Sequence, residues 1–143
     1  MNETPITLAG WLGSEVSLTQ TSGGHQVATF RVASTPRRWV QGDWQEAPTN
    51  WFTVKVWRGL AVHAHQSLHK GDPVVLTGRL TADVWERADG QRTTRHVVVA
   101  SSLGHDLALG TTTFTRVLDA EPESRPAAVV ESLPAAAGES SAA

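Results

Sequence analysis

The 143-residue sequence contains no cysteine. That excludes a disulfide framework, a thiolate nucleophile and a thiolate metal site. Tyrosine is absent too, so aromatic character rests on six Trp and three Phe. No apolar run approaches the length of a membrane span. The start, Met1-Asn2-Glu3-Thr4-Pro5, lacks the basic and apolar segments of a secretory leader. The expectation is a soluble cytoplasmic protein that makes no membrane contact. No P-loop, His-Glu-x-x-His or Gly-x-Ser-x-Gly pattern occurs, so no enzyme is expected. His63, His65 and His69 fall close together, with His65 and His69 at i, i+4. A zinc site would need a third ligand, and none is obvious. Neither a metal nor another cofactor is expected.

What charge there is, is unevenly spread. Up to Val117 there are eleven Lys and Arg against nine Asp and Glu, a surplus of +2. From Leu118 onward one Arg faces five acids, a balance of −4. The expected organisation is one mildly basic domain over residues 1–117 and an acidic tail over 118–143. That tail holds Pro122, Pro126 and Pro134, much Ala and Ser, and no aromatic. Such a composition offsets too little chain entropy to fold, so the tail is expected to be disordered.

The most informative stretch is Trp51-Phe52-Thr53-Val54-Lys55-Val56-Trp57. Read with the period of a strand, Phe52, Val54 and Val56 face a core. Trp51, Thr53, Lys55 and Trp57 face the other way. Two indoles with an ammonium between them can stack flat rings and hold an anionic chain. Indoles also bury readily, so the same spacing fits core or interface residues.

The rest of the chain reads as short strands around this one. Ile6–Leu12 is the first strand, with Gly10 and Gly13 allowing bends. Ser14–Gln20 is a second extended piece, and Ser22-Gly23-Gly24 a turn. Gln26–Ser34 is a strand whose Ala28, Phe30 and Val32 face the core. Residues 35–50 show no periodicity and read as a long loop with Arg37, Arg38, Trp39 and Trp44. Gly59–Leu68 is a short helix with Gly71 suited to its C-terminal cap. Val74–Thr81 is a strand. Val84–Arg92 is a hairpin tip turning at Ala88-Asp89-Gly90, and Thr94–Ser101 is the last long strand, its Val97-Val98-Val99 run suggesting burial on both sides. Thr111–Val117 reads as a short edge strand. The fold class is all-β: a five-stranded Greek-key barrel of the OB type, with one helix between the third and fourth long strands.

In this order the segments resemble the bacterial single-stranded DNA-binding proteins, over about residues 5–117. The resemblance is carried by Ile6-Thr7-Leu8-Ala9-Gly10-Trp11-Leu12-Gly13, by Val27–Ala33 and by Trp51–Ala61. It continues through Leu68-x-Lys70-Gly71-Asp72-x-Val74-x-Leu76-x-Gly78-x-Leu80 and Trp85 followed by Asp89-Gly90. It implies binding of single-stranded DNA without sequence specificity, in replication, recombination or repair. Bases would stack on Trp39, Trp51, Trp57 and Trp85. Arg31, Arg37, Arg38, Lys55, Arg79, Arg87 and Arg92 would neutralise phosphates. It also implies a homotetramer, a dimer of dimers, associated with the nucleoid.

The sequence departs from the family pattern in three places. No Lys or Arg precedes Arg31, where members often carry a basic residue before the first strand. Phe52 stands where some members have a His near the subunit interface. The chain ends Gly138-Glu139-Ser140-Ser141-Ala142-Ala143 rather than in an acidic tip with a bulky apolar pair. The resemblance is thus to a paralogue without that tip, and partners that recognise the tip are not expected. The other class of function open to this sequence is a protein-interaction OB module, with the indoles as hot spots for a protein partner. The sequence assigns no role to Trp11 or Trp44.

Overall fold

The computed structural model describes residues 2–118. The expectations for the acidic tail, its disorder and its missing tip lie on 119–143, outside the described residues. A compact unit runs over Met1–Thr112. The strands are β1 (Pro5–Leu12), β2 (Ser17–Gln20), β3 (Gln26–Ser34), β4 (Arg37–Val40), β5 (Asp43–Glu46), β6 (Asn50–Trp57), β7 (Pro73–Glu86) and β8 (Arg92–His105). One helix, α1 (Arg58–Ser67), joins β6 to β7.

The main sheet runs β1-β7-β8-β6-β3-β2, and β1 also pairs with β3. That extra pairing closes β1, β7, β8, β6 and β3 into a five-stranded barrel. Strand β2 extends it as a hairpin partner of β3, opposite Thr29 to Gln26. Every pairing in the ring is antiparallel except β6 with β8, which is parallel at Thr53–Val97, Val54–Val98 and Lys55–Val99. The Greek-key barrel expected from the sequence is therefore the fold.

Alternation explains the core. Leu8, Leu12, Ala28, Phe30, Val32, Val54, Val56, Val74, Leu76, Val98 and Ala100 are all buried and form one cluster. They are the inward set of the five ring strands, and Ala61, Ala64 and Leu68 close one end from the helix side. Their β-branched content suits a pleated, curved wall. Val97 is also buried although it alternates with Val98, so β8 is covered on both faces at that point.

Glycine permits two close approaches. A Cβ on Gly10 would stand 2.3 Å from the Ala33 carbonyl oxygen, so the β1–β3 seam closes only over a bare Cα. A Cβ on Gly78 would stand 2.1 Å from the Val99 oxygen, beside the register shift between Thr77 and Gly78. That irregularity sharpens the bend of the long β7–β8 ribbon.

Three expectations need correction. Residues 37–46 are not a loop but a hairpin, with Trp39 opposite Trp44. Its turn is Gln41-Gly42 at φ 51° and 81°, the geometry of a type I′ turn. A glutamine rarely signals that conformation, which hid the turn. Gly71 does not cap the helix: Leu68 does, in extended conformation, with its N–H donating to the Ala64 oxygen. Gly71 instead takes φ 97° in the turn that follows. Residues 111–118 form no strand.

That turn after the helix is tied to the far end of β8. Asp72 Oδ2 accepts the His69 backbone N–H and lies 3.0 Å from His105 Nε2. Partial burial alone would raise the Asp72 carboxyl. The hydrogen bonds from His105 and the His69 backbone, with the charge of both imidazoles, outweigh it and hold the group below its ordinary 3.8. His69 lies beyond the helix end, and His65 Nδ1 sits 3.0 Å from the Val16 oxygen. The two histidines therefore do not present one helical face.

Candidate nucleic-acid interface

Strand β6 presents the side chains as its alternation requires. Val54 and Val56 are fully buried, while Trp51 and Trp57 are 53% and 40% exposed on the outer surface. Lys55 lies between them on the same side. The neighbours of β6 extend this face by register. Arg31 on β3 is opposite Thr53, and Ala33 is opposite Trp51. Val97 and Val99 on β8 lie beside Thr53 and Lys55, and Arg79 and Thr81 on β7 continue those rows. The result is a broad outer face with an apolar floor at Val97, indoles at its borders and cations between them.

Trp51 is held flat by its surroundings. Its six-membered ring lies over Gly13, where a Cβ would stand 2.5 Å from Cζ3. The Arg31 guanidinium sits over the same ring at 5.0 Å from the centroid. Arg31 is itself anchored through its backbone: its N–H donates to Ser14 Oγ at 3.0 Å, and its carbonyl accepts from the Gly13 N–H at 2.8 Å. A guanidinium over an indole is a modest cation–π contact.

Trp85 projects from the β7–β8 ribbon beyond the barrel and is 52% exposed. Arg95 covers its ring at 5.6 Å. Between ribbon and barrel lies Asp83, with Oδ2 3.7 Å from Lys55 Nζ and 3.9 Å from Arg95 Nη2. One carboxylate thus holds two cations of the face. These partners are all substantially exposed, so the pairs contribute little to stability. Their effect falls on the charge available to an anion. Arg87 and Arg92 lie further out at the ribbon tip, where Arg92 is opposite Glu86. The Arg87 N–H donates to the Gln91 oxygen across the turn.

The β4–β5 hairpin forms a separate two-stranded arm. Trp39 and Trp44 are 59% and 58% exposed. Their rings meet edge to face at 5.3 Å between centroids. Arg37 lies over Trp44 at 5.8 Å, whereas Arg38 alternates to the opposite side of the arm. The neck is fastened by the Ala47 N–H to the Pro36 oxygen, 2.8 Å, and by Thr35 and Thr49 hydroxyls 2.6 Å apart.

The structure therefore brings Trp51, Trp57, Lys55, Arg31 and Arg79 onto one face, with Trp85 on the ribbon above it. It sets Trp39, Arg37 and Arg38 on their own arm, and Arg87 and Arg92 at a distant tip. The sequence reading missed Arg95, Asp83 and the partnership of Trp44 with Trp39. The first two were available in principle. A turn at Ala88-Asp89-Gly90 pairs Glu86 with Arg92, and counting back in antiparallel register places Asp83 opposite Arg95.

Known proteins resemble this chain in sequence and in fold. The profile of the Single-strand binding protein family covers residues 3–106. The chain is 38% identical over 118 residues to single-stranded DNA-binding protein 2 of Streptomyces avermitilis, spanning 81% of this chain and 73% of that one. It is 39% identical over 128 residues to single-stranded DNA-binding protein 1 of Streptomyces coelicolor, spanning 88% and 81%. The crystal structure of a small single-stranded DNA-binding protein from Streptomyces coelicolor superimposes with a TM-score of 0.67 at 39% identity, covering 77% of this chain and all of that one.

Proposed function

The chain belongs to the single-strand binding protein family, and we propose on that footing that it binds and protects single-stranded DNA without sequence preference. Bases stack on Trp51, Trp57 and Trp85, and on Trp39 where the β4–β5 arm folds over the strand. Lys55, Arg31, Arg79, Arg37 and Arg38 neutralise phosphates near those rings, with Arg87 and Arg92 engaging a longer strand at the ribbon tip. The observation that carries this reading is the outward set of β6. Trp51 and Trp57 are exposed on either side of Lys55, while the alternate residues are buried. A ring face accepts any base, so such a surface needs no base-edge code.

The protein acts by binding rather than by catalysis, in replication, recombination or repair of DNA in the cytoplasm. Among the described residues no helix is long and apolar enough to cross a membrane. Assembly as a homotetramer, a dimer of dimers, is part of the same proposal. On its β3 side β1 pairs only at Trp11 and Leu12, which leaves Pro5–Ala9 without a strand on that side among the described residues. An unpaired strand edge invites a second copy. The outer surface beside it carries a shallow apolar hollow at Thr7, Val75, Thr77, Leu103 and Gly104.

Titration of intrinsic indole fluorescence with homopolymeric oligonucleotides at two salt concentrations tests the reading. Strong quenching and weaker binding at higher salt are expected. Alanine at Trp51 or Trp85 should weaken binding by about 1–3 kcal/mol each and leave the cooperative melt in place. Preference for duplex, or saturation without quenching, contradicts the proposal.

A further inference from the structure

Trp11 is half exposed, at 50%, and stands outside the core cluster. Its position is set by the seam that closes the barrel. Trp11 is opposite Ala33, and Ala33 is opposite Trp51. The residues that alternate with them, Leu12 and Val32, are buried, so all three lie on the outer side of one row. Adjacent strands are about 4.8 Å apart, which places the Trp11 and Trp51 Cα atoms about 10 Å from each other. The residue between them is an alanine, too small to wall one ring off from the other.

Trp51 moreover leans toward β1. Its ring reaches over β3 and lies on Gly13, just past the end of β1 and two residues along from Trp11, where the Gly13 N–H still donates to the Arg31 oxygen across the seam. Residues two apart on a strand share a face at a separation of about 6.7 Å. The edge of one indole thus ends about one side-chain width from the base of the other. Arg31, over the Trp51 ring, provides a cation for the phosphate that would lie between them.

We infer that Trp11 is a further base-stacking residue, one that carries the path of a single strand from Trp51 over the β1–β3 seam onto the outer side of β1. The inference rests on the single-strand binding proposed above. It gives the strand a course across the barrel as well as along β6. The Trp11 ring is half exposed in the outer row that also holds Trp51, whose ring carries the Arg31 guanidinium, a setting that a base and its phosphate complete without stranding a charge.

The test compares the full-length protein with Trp11→Ala and Trp11→Phe. Each is titrated with oligodeoxythymidylate, weighed by light scattering and melted. Trp11→Ala should bind about tenfold more weakly, with Trp11→Phe between it and the parent, and with mass and melting unchanged. A loss below about twofold overturns the inference, being too small for a stacked base. So does a loss that comes with a changed oligomeric mass, which would make Trp11 a subunit contact. Photo-crosslinking of the unaltered protein to an oligonucleotide bearing 5-iododeoxyuridine gives a readout independent of variant folding. An adduct on the Trp11 peptide is expected, and adducts on the Trp51 and Trp85 peptides without one there would overturn the assignment. If the unaltered protein binds no oligonucleotide, the proposed function fails first, and that outcome is visible before any variant is made.

Discussion

The Trp51 indole lies on the backbone of Gly13, close enough that a single added methyl group would stand 2.5 Å from its Cζ3 atom. Gly13 is therefore the seat of a ring proposed above to stack on bases. Gly13→Ala must lift or rotate that ring, and its half-exposed position leaves room on the solvent side. We expect little change in melting temperature and a loss of oligonucleotide affinity of up to about 1 kcal/mol, the low end of one base–indole stack. A variant that melts much earlier but binds as before would show the glycine serving the fold instead.

Asp83 holds Lys55 and Arg95 at once. Replacing it with Asn releases both for phosphate. Asp83→Asn should tighten single-strand binding by less than about 1 kcal/mol, since exposed pairs are weak. The dependence of log affinity on log salt should steepen by about 0.7 for each cation newly engaged. An unchanged slope would mean that neither cation reaches the nucleic acid.

Gly78 differs from Gly13 in what it meets. Its added Cβ would strike the Val99 backbone oxygen at 2.1 Å, an atom that cannot swing aside. Gly78→Ala should lower stability by about 1–3 kcal/mol or more, the scale of overpacking in a core. Chemical denaturation with an unchanged slope and an earlier midpoint is the expected signature.

The Asp72–His105 link gives a pH dependence of known sign. The Asp72 carboxyl is held below its ordinary value in the folded protein, chiefly against the raising effect of burial, by the His105 and His69 hydrogen bonds. A carboxylate depressed on folding stabilises the protein above its unfolded value, and the contribution is lost as pH falls through the folded value. The difference in melting temperature between parent and Asp72→Asn should be present above the ordinary carboxyl range. It should shrink below about pH 4 as the carboxyl nears its ordinary range. A difference that is flat from pH 7 to about pH 3 would show that the link carries no protonation-dependent stability.

Strand β6 and its faces were legible in the sequence because the signal is local. Phe52, Val54 and Val56 alternate with Trp51, Thr53, Lys55 and Trp57, and no distant residue is needed to read them. The order of strands and the place of the helix followed from similar local patterns. Where a long-range register decides the outcome, the sequence was mute. Trp11 and Trp51 share a row only because β1 meets β3 across the seam. The β4–β5 arm escaped notice for the opposite reason. Its turn is local, but it puts Gln41 at φ 51°, a conformation usually announced by Asn or Gly.

The two short seams of the barrel have a kinetic meaning. β1 meets β3 at Trp11–Ala33 and Leu12–Val32, and β6 meets β8 in parallel around Val54–Val98. The second seam joins positions separated by the helix, β7 and the turn of the β7–β8 ribbon. Its loop-closure entropy must be met before much of the core is sealed. The ribbon can pair on its own, but neither seam has enough neighbours to persist until the other forms. The protein should therefore fold slowly for its size, in one concerted step. Substitutions at Val54 or Val98 should slow that step, and changes at the ribbon tip should leave its rate alone.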